Sequence, residues 1–433
     1  MLFADITILD ENMESVENCY VATEDERITY IGKDDPRTVE GAEGDFSRVY
    51  EGKGRLLMSG FYNAHAHSPM CLMRGYGENL SLMDWLNTRI FPFENHLDSN
   101  AVYWGTMLGM AESFMYGIVS SSDMYYFCPD MAKAVIDSGA KSNISRSVAN
   151  PTGVPVDELI SIKETYDFIS EYHNAANGKL KTDASIHAEY TSNPETVTAV
   201  AECAKKFGVI SHVHVSETRF EHEECIKKYG KTPAAYLNDC GLFDTPALAA
   251  HCVYSTDEDL DIFLEKGVTV ATNPVSNMKL ASGILDASRV LDKGINLAIG
   301  TDSVASNNSL NFFEELKALA VGNKVRNSDP TTMTPKQILK AATYGGAKAQ
   351  GRDDCGVLKV GNRADLIMID ISGPNMKPSF NIANNLVYSY SGSPEMTVVD
   401  GEVMYYRGEF TSLDIEKTVY EVEKATEGIL KKL

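Results

Sequence analysis

The amino-acid sequence predicts an α/β protein: a (β/α)8 TIM-type barrel with a small β-sandwich domain added from the two ends of the chain. Three observations predict it. Over residues 56–350, short apolar runs alternate with longer stretches of helical spacing, and the runs number eight. Strand–helix alternation of that count and length fits a closed parallel barrel. The flanking segments, 1–55 and 351–433, carry short β-prone pieces broken by Asp, Glu, Asn and Gly. No Gly-rich phosphate turn follows any run, so an open doubly wound sheet lacks its usual mark.

In chain order, residues 5–9, 16–21 and 28–31 read as the first short strands. Residues 56–69, LLMSGFYNAHAHSP, read as one buried strand that runs into a turn and opens the barrel. Further strands are expected at 118–124, 141–148, 184–190, 209–215, 248–254, 268–272 and 297–301, with helical stretches between them. Beyond the barrel, 356–370 predicts two strands around a Gly361-Asn362 turn. Residues 396–406 predict a hairpin with Asp400-Gly401 at its turn. Residues 414–433 have the spacing of a surface helix. The expected domains are therefore 1–55 and 351–433 together, the latter including the terminal helix, and the barrel at 56–350.

Bulk properties narrow the function. With 43% hydrophobic and 23% charged residues, the chain of 433 is that of a folded globular protein. A net charge of −22 argues against nucleic acid as a partner, because a phosphate backbone would be repelled. No charged-then-apolar leader and no membrane-length apolar run is present, so no membrane partner is expected and a cytoplasmic location is. The eight cysteines form no CxxC pair. Scattered thiols fit a reducing compartment and small core residues.

The polar residues that could carry chemistry sit at the ends of the expected barrel strands, where such folds place their sites. His65 and His67 are one residue apart, so on a strand they share a face. Two imidazoles so placed make half of a divalent-metal site. His187 lies in ASIHAEYTS, His212 and His214 in ISHVHVSET with Glu217 three residues on, His251 in LAAHCVY, and Asp302 in LAIGTDSVASNNS. Of nine histidines, six thus fall on expected barrel strands or at their ends.

The stretches SGFYNAHAHSPMCLMRGYGENLSLMDWL, GIVSSSDMYY, HVHVSET, AAHCVYS, NPVSNMKLASG, GTDSVASNNSLNFFEE and GNRADLIMID resemble the amidohydrolase superfamily. The likeness is to its branch of methylthioadenosine/S-adenosylhomocysteine deaminases and triazine chlorohydrolases, and it runs through the whole barrel. The resemblance implies one divalent metal ion held by His65, His67, His214 and Asp302. Zinc is the first expectation, with iron or manganese as alternatives. A bridging lysine, which two-metal members carry at the end of the fourth strand, is absent there; Lys181 stands at that strand's start. The resemblance further implies Glu217 as proton shuttle, His251 as the group orienting water, and Asp302 as both ligand and proton acceptor.

On the substrate side, the resemblance implies Glu94 as the acceptor of two ribose hydroxyls, with Trp85, Arg146 and His187 as further binding residues. Asn273, Ser276 and Asn277 fall in a segment that, by the resemblance, shapes the pocket; the alternative is an Asn/Pro turn with ordinary backbone hydrogen bonds. The loop after 141–148 lacks the second arginine of the relatives; no arginine follows Arg146 until Arg219. The implied activity is hydrolytic deamination of an adenosine-like nucleoside of the methylthioadenosine, S-adenosylhomocysteine or 5′-deoxyadenosine type, with water attacking the aminated ring carbon and ammonia leaving. The alternative is another aminated or chlorinated heterocycle: guanine, cytosine or a triazine. The expected partner is thus a small heterocyclic molecule, and the resemblance adds a homo-oligomer.

Overall fold

The computed structural model describes Met1–Leu433. The chain opens with β1 (Leu2–Leu9), β2 (Ser15–Glu24), β3 (Arg27–Gly32), β4 (Val49–Glu51) and β5 (Arg55–Ser59). The barrel strands follow: β6 (Phe61–Ala66), β7 (Ile118–Tyr125), β8 (Lys141–Val148), β9 (Leu180–Ile186), β10 (Ser211–Val215), β11 (Ala247–His251), β12 (Thr269–Thr272) and β13 (Leu297–Ile299). The chain closes with β14 (Leu366–Asp370), β15 (Met396–Val399), β16 (Glu402–Tyr406), β17 (Glu409–Phe410) and the helix Ile415–Leu430.

Strands β6 to β13 pair in sequence order, each parallel to the next. The seam is closed just beyond β13. The backbone N–H groups of Thr301 and Asp302 donate to the His65 carbonyl at 3.1 and 3.0 Å, and Ala66 bridges Asp302 in parallel. Closure therefore carries Asp302 to the end of β6, next to both histidines of the opening strand. Alternate positions divide the packing. Val213, Val270, Leu297 and Ile299 join the large core formed with the helices. Leu248, Ala271, Ala298 and Ala64 form a separate small cluster inside the barrel.

Two of the barrel helices, those before and after β10, begin and end where the sequence provides caps. Asn193 accepts from the Thr196 N–H to start Pro194–Phe207, with proline in the first turn, and Gly208 ends it at φ 65°. Thr218 starts Arg219–Tyr229 with a reciprocal bond from Glu221, and Gly230 ends it at φ 68°.

Three expectations change. The stretch 56–69 is not one strand: β5 belongs to the terminal sheet, where it pairs with β1 and β14, and the barrel begins at Phe61 after Gly60. The two ends of the chain do unite, but the nine strands form one connected mixed sheet, ordered β17-β16-β15-β14-β5-β1-β2-β3 with β4 on β1. Residues 356–362 form no strand: Gly356 and Gly361 take φ 78° and 90°, which turns the backbone out of an extended path. The hairpin at Asp400-Gly401 forms, with φ 48° and 75° at its two turn residues as a primed turn requires.

The terminal sheet is fastened to the floor of the barrel by buried polar groups. Lys141 at the start of β8 donates to both carboxylate oxygens of Asp365 at 2.8 and 2.6 Å, and the Tyr62 hydroxyl bonds the same carboxylate. Fastening at the floor leaves the opposite face free for a site. No helix is long and apolar enough to cross a membrane.

Candidate active site

Five side chains converge at the upper ends of the strands. His65 and His67 come from β6, His214 from β10, His251 from the end of β11, and Asp302 from just beyond β13. Asp302 Oδ1 stands 3.2 Å from His67 Nε2 and 3.6 Å from His65 Nε2. The Nε2 atoms of His67 and His214 are 3.4 Å apart. The ligand atoms of His65, His214 and His251 lie within 4.8 Å of one another, as do those of His65, His67 and Asp302. Two of the contributors sit in the sparsely populated left-handed region, His251 at φ 70° and Asp302 at φ 57°. Strain of that kind is held only where the surroundings fix it, and it gathers at functional sites.

The outer contacts of each group fix which atom faces inward. Nδ1 of His67 lies 2.6 Å from the Met124 carbonyl, and Nδ1 of His214 lies 2.5 Å from the His187 carbonyl. A carbonyl can only accept, so both rings carry their proton on Nδ1 and turn an Nε2 lone pair into the site. Nδ1 of His251 lies between two side-chain amides, 2.7 Å from Asn277 Oδ1 and 3.2 Å from Asn273 Nδ2, which hold the ring with Nε2 toward Glu217. Nδ1 of His65 meets Nε2 of the deeper His212 at 2.9 Å. The second oxygen of Asp302 accepts from Ser276 at 2.6 Å and from Ser306 at 2.9 Å, leaving Oδ1 to face the histidines.

This arrangement fits a divalent metal ion. Nε2 of His65 is buried without a hydrogen-bond partner, and lone pairs from neutral imidazoles converge on one carboxylate oxygen. A divalent cation among these donors, or in its absence a proton on His67, relieves their repulsion. The ionisation of the groups agrees. Burial pushes His65 down to about 3 and His214 well below the ordinary imidazole range, so both are neutral ligands at pH 7. Burial also works against charge on His67 and Asp302, but the contact with Asp302 raises His67, and the contacts with His65 and then His67 hold Asp302 well below the usual carboxylate range.

Glu217 stands at the rim of the cluster, with Oε2 3.9 Å from His251 Nε2. Ser282 donates to its other oxygen at 3.1 Å. Burial raises its pKa, and His251 pulls the other way. Its backbone N–H donates to Glu221 at 2.8 Å, which fixes the turn that presents it. One cavity joins these groups to the substrate residues named from sequence. His67, His187, His214, Glu217, His251 and Asp302 share its wall with Trp85 and Glu94. Glu94 is pushed up to about 7 by burial, with the Tyr125 hydroxyl and His67 pulling it back. Arg146 is not in that wall. It lines a neighbouring cavity, donates Nε–H to Glu164 at 2.7 Å, and lies over the Tyr126 ring at 4.9 Å.

The Amidohydrolase family profile matches residues 56–404, the whole barrel and most of the closing strands. The chain belongs to the amidohydrolase family. Among its relatives, this amidohydrolase is similar to a 5-methylthioadenosine/S-adenosylhomocysteine deaminase of Caldanaerobacter subterraneus subsp. tengcongensis, 38% identical over 100% of this chain and 99% of the relative. A 5′-deoxyadenosine deaminase of Methanosarcina mazei is 37% identical over 99% and 97% of the two chains. In structure it is similar to an adenosine deaminase from Xanthomonas campestris with bound zinc, at TM-score 0.91 and 29% identity over 99% of this chain and 98% of that one. An atrazine chlorohydrolase from Arthrobacter aurescens shares the fold at TM-score 0.89 and 23% identity, covering 98% and 99%.

Several residues of this amidohydrolase site carry no signal in the sequence. His212 supports His65 from one layer below; its i,i+2 spacing from His214 puts it on the inward face but not in a role. Ser282 and Ser306 are single serines in loops. Tyr125 ends β7 with a buried hydroxyl that has no hydrogen-bond partner of good geometry. Asn277 and Asn273, both in a segment singled out from sequence, hold the Nδ1 side of His251.

Proposed function

We propose that this amidohydrolase is a metal-dependent hydrolytic deaminase of adenosine-like nucleosides. The observation that carries the reading is the meeting of two sets of residues in one cavity: the convergent donors of His65, His67, His214 and Asp302, and Glu217 with Glu94 on the same wall. The names of the full-length relatives, deaminases of 5-methylthioadenosine, S-adenosylhomocysteine and 5′-deoxyadenosine, support it. The donor set suits zinc, and the Xanthomonas relative was solved with zinc.

A divalent ion held by those four residues supplies electrophilic activation of water at neutral pH. The protein supplies the rest. His251, its Nδ1 side held by Asn277 and Asn273, offers Nε2 to orient the water. Asp302, ionised and anchored by two serines, accepts the water proton on Oδ1. Glu217, with its pKa raised by burial, is able to hold a proton and deliver it to the ring nitrogen beside the aminated carbon. A C–O bond forms at that carbon and the C–N bond breaks; Glu217 gives its proton to the ring nitrogen and regains one from the added hydroxyl as the carbonyl forms, and the water proton held by Asp302 goes to the amine, which leaves as ammonia. Glu94 accepts from the ribose hydroxyls, and Trp85 lines the space of the base. Eight free cysteines suit the reducing cytoplasm that this reading assigns.

The test is ammonia release by metal-loaded protein. 5′-Deoxyadenosine, 5′-methylthioadenosine and S-adenosylhomocysteine are compared with guanine, cytosine and amino- and chlorotriazines. Ammonia from the nucleosides supports the reading. Ammonia from free bases alone, or chloride from a triazine, overturns the roles of Glu94 and the substrate class.

A further inference from the structure

A cavity of about 660 Å³ adjoins the catalytic one and shares Phe91, Glu94 and Tyr126 with it. Glu94 stands at the junction. Beside it is the buried Tyr125 hydroxyl, which bears on the Glu94 carboxylate. A nucleoside whose base lies at the metal cluster and whose ribose lies on Glu94 must send its 5′ end outward past this junction. Another cavity, of about 530 Å³, shares Leu82 and Tyr190 with the catalytic one, but Glu94 is not in its wall. The 660 Å³ cavity is therefore the one on the ribose side.

We infer that this outer cavity selects the charge of the substrate's 5′ substituent, taking a neutral or cationic group and excluding a carboxylate. The inference rests on the deaminase reading above. Asp130, Glu164, Asp167 and Glu171 line the cavity, against Arg146 as its one cationic side chain. That arginine is already committed. Its Nε–H goes to Glu164, a second nitrogen donates to the Ser147 carbonyl, and its guanidinium covers Tyr126. An entering carboxylate would meet a neutralised arginine and further negative charge. Asp167 is paired with Lys163, so an ammonium would meet the unpaired carboxylates of Asp130 and Glu171, an attraction that is strongest at low salt.

The test uses the metal-loaded protein and three 5′-thioadenosines: one with a methyl tail, one with an aminopropyl tail and one with a carboxyethyl tail. In low salt, kcat/KM for the amine tail is expected to exceed that for the carboxylate tail by about tenfold or more. The ratio shrinks in about 1 M salt, where screening shortens to roughly 3 Å. Glu164→Gln, which releases Arg146, moves the ratio toward one. A carboxylate tail turned over as well as the amine tail, or a ratio unmoved by Glu164→Gln, overturns the inference while turnover of the methyl compound keeps the deaminase reading. No turnover of any of the three overturns both.

Discussion

Replacing Glu217 by glutamine removes one function and leaves almost everything else in place. The carboxyl is buried, 7% exposed, so the amide enters a site of fixed shape. Ser282 can still donate to the side-chain oxygen, as it does at 3.1 Å. The bond from the Glu217 N–H to Glu221 is made by backbone and does not change. None of the four proposed metal donors is touched. What disappears is a group that can carry a proton between water and the ring. Positioned general acid–base catalysis contributes about 10² to 10⁴ in rate. A thousandfold fall in kcat, the middle of that range, corresponds to about 4 kcal/mol of transition-state stabilisation. The expected variant therefore holds one metal per chain by elemental analysis, unfolds at the wild-type temperature, and releases ammonia about a thousandfold more slowly with little change in KM. Activity within tenfold of wild type would refute Glu217 as the proton carrier. Loss of the metal would show that it belongs to the ligand set.

Glu94 gives a pH dependence of known sign. Burial lifts its carboxyl to about 7, and only the ionised form accepts two hydroxyls, so KM for nucleosides should fall as pH rises through about 7 and then level. Glu94→Gln should raise KM and abolish that limb, while KM for a free base stays flat; the same limb with a free base would contradict the ribose role. Gly300→Ala places a methyl 2.3 Å from Asn273 Oδ1 and 2.8 Å from His65 Cβ. Overpacking of that kind costs about 1–3 kcal/mol, so thermal stability and metal content should fall together, and a variant normal in both would show that the cluster is less fixed than drawn. Ser306→Ala removes one of the two donors to Asp302 Oδ2. Metal affinity, measured by competition with a chelator, should weaken about 10–100-fold; an unchanged affinity would mean that Ser276 alone orients the carboxylate.

The barrel was legible because parallel strands are buried on both faces and appear as apolar runs between helical stretches. The proposed donors came from the family resemblance, on residues already placed at the ends of expected strands. The His65–His67 pair, His214 and Asp302 are far apart in sequence, and closure of β13 on β6 brings Asp302 to the pair. Other features left no such trace. The run across Gly60 is apolar on both sides, so composition could not show that β5 serves one sheet and β6 another. Residues 356–362 have a strand's composition, and only the positive φ of two glycines marks them as a turn. Arg146 lies on an expected strand, yet its position beside Ser147 rather than on the same face turns it toward Glu164 and out of the catalytic cavity. The roles of His212, Ser282, Ser306 and Tyr125 come from contacts across the barrel, which no local pattern encodes.

The most direct measurement is to incubate the metal-loaded protein with 5′-methylthioadenosine in heavy-oxygen water and weigh the nucleoside product by mass spectrometry while counting ammonia. The account predicts a 6-oxo nucleoside with an intact glycosidic bond, one solvent oxygen on the ring, and one ammonia per product. A free base, an unlabelled ring or product without matching ammonia would contradict it.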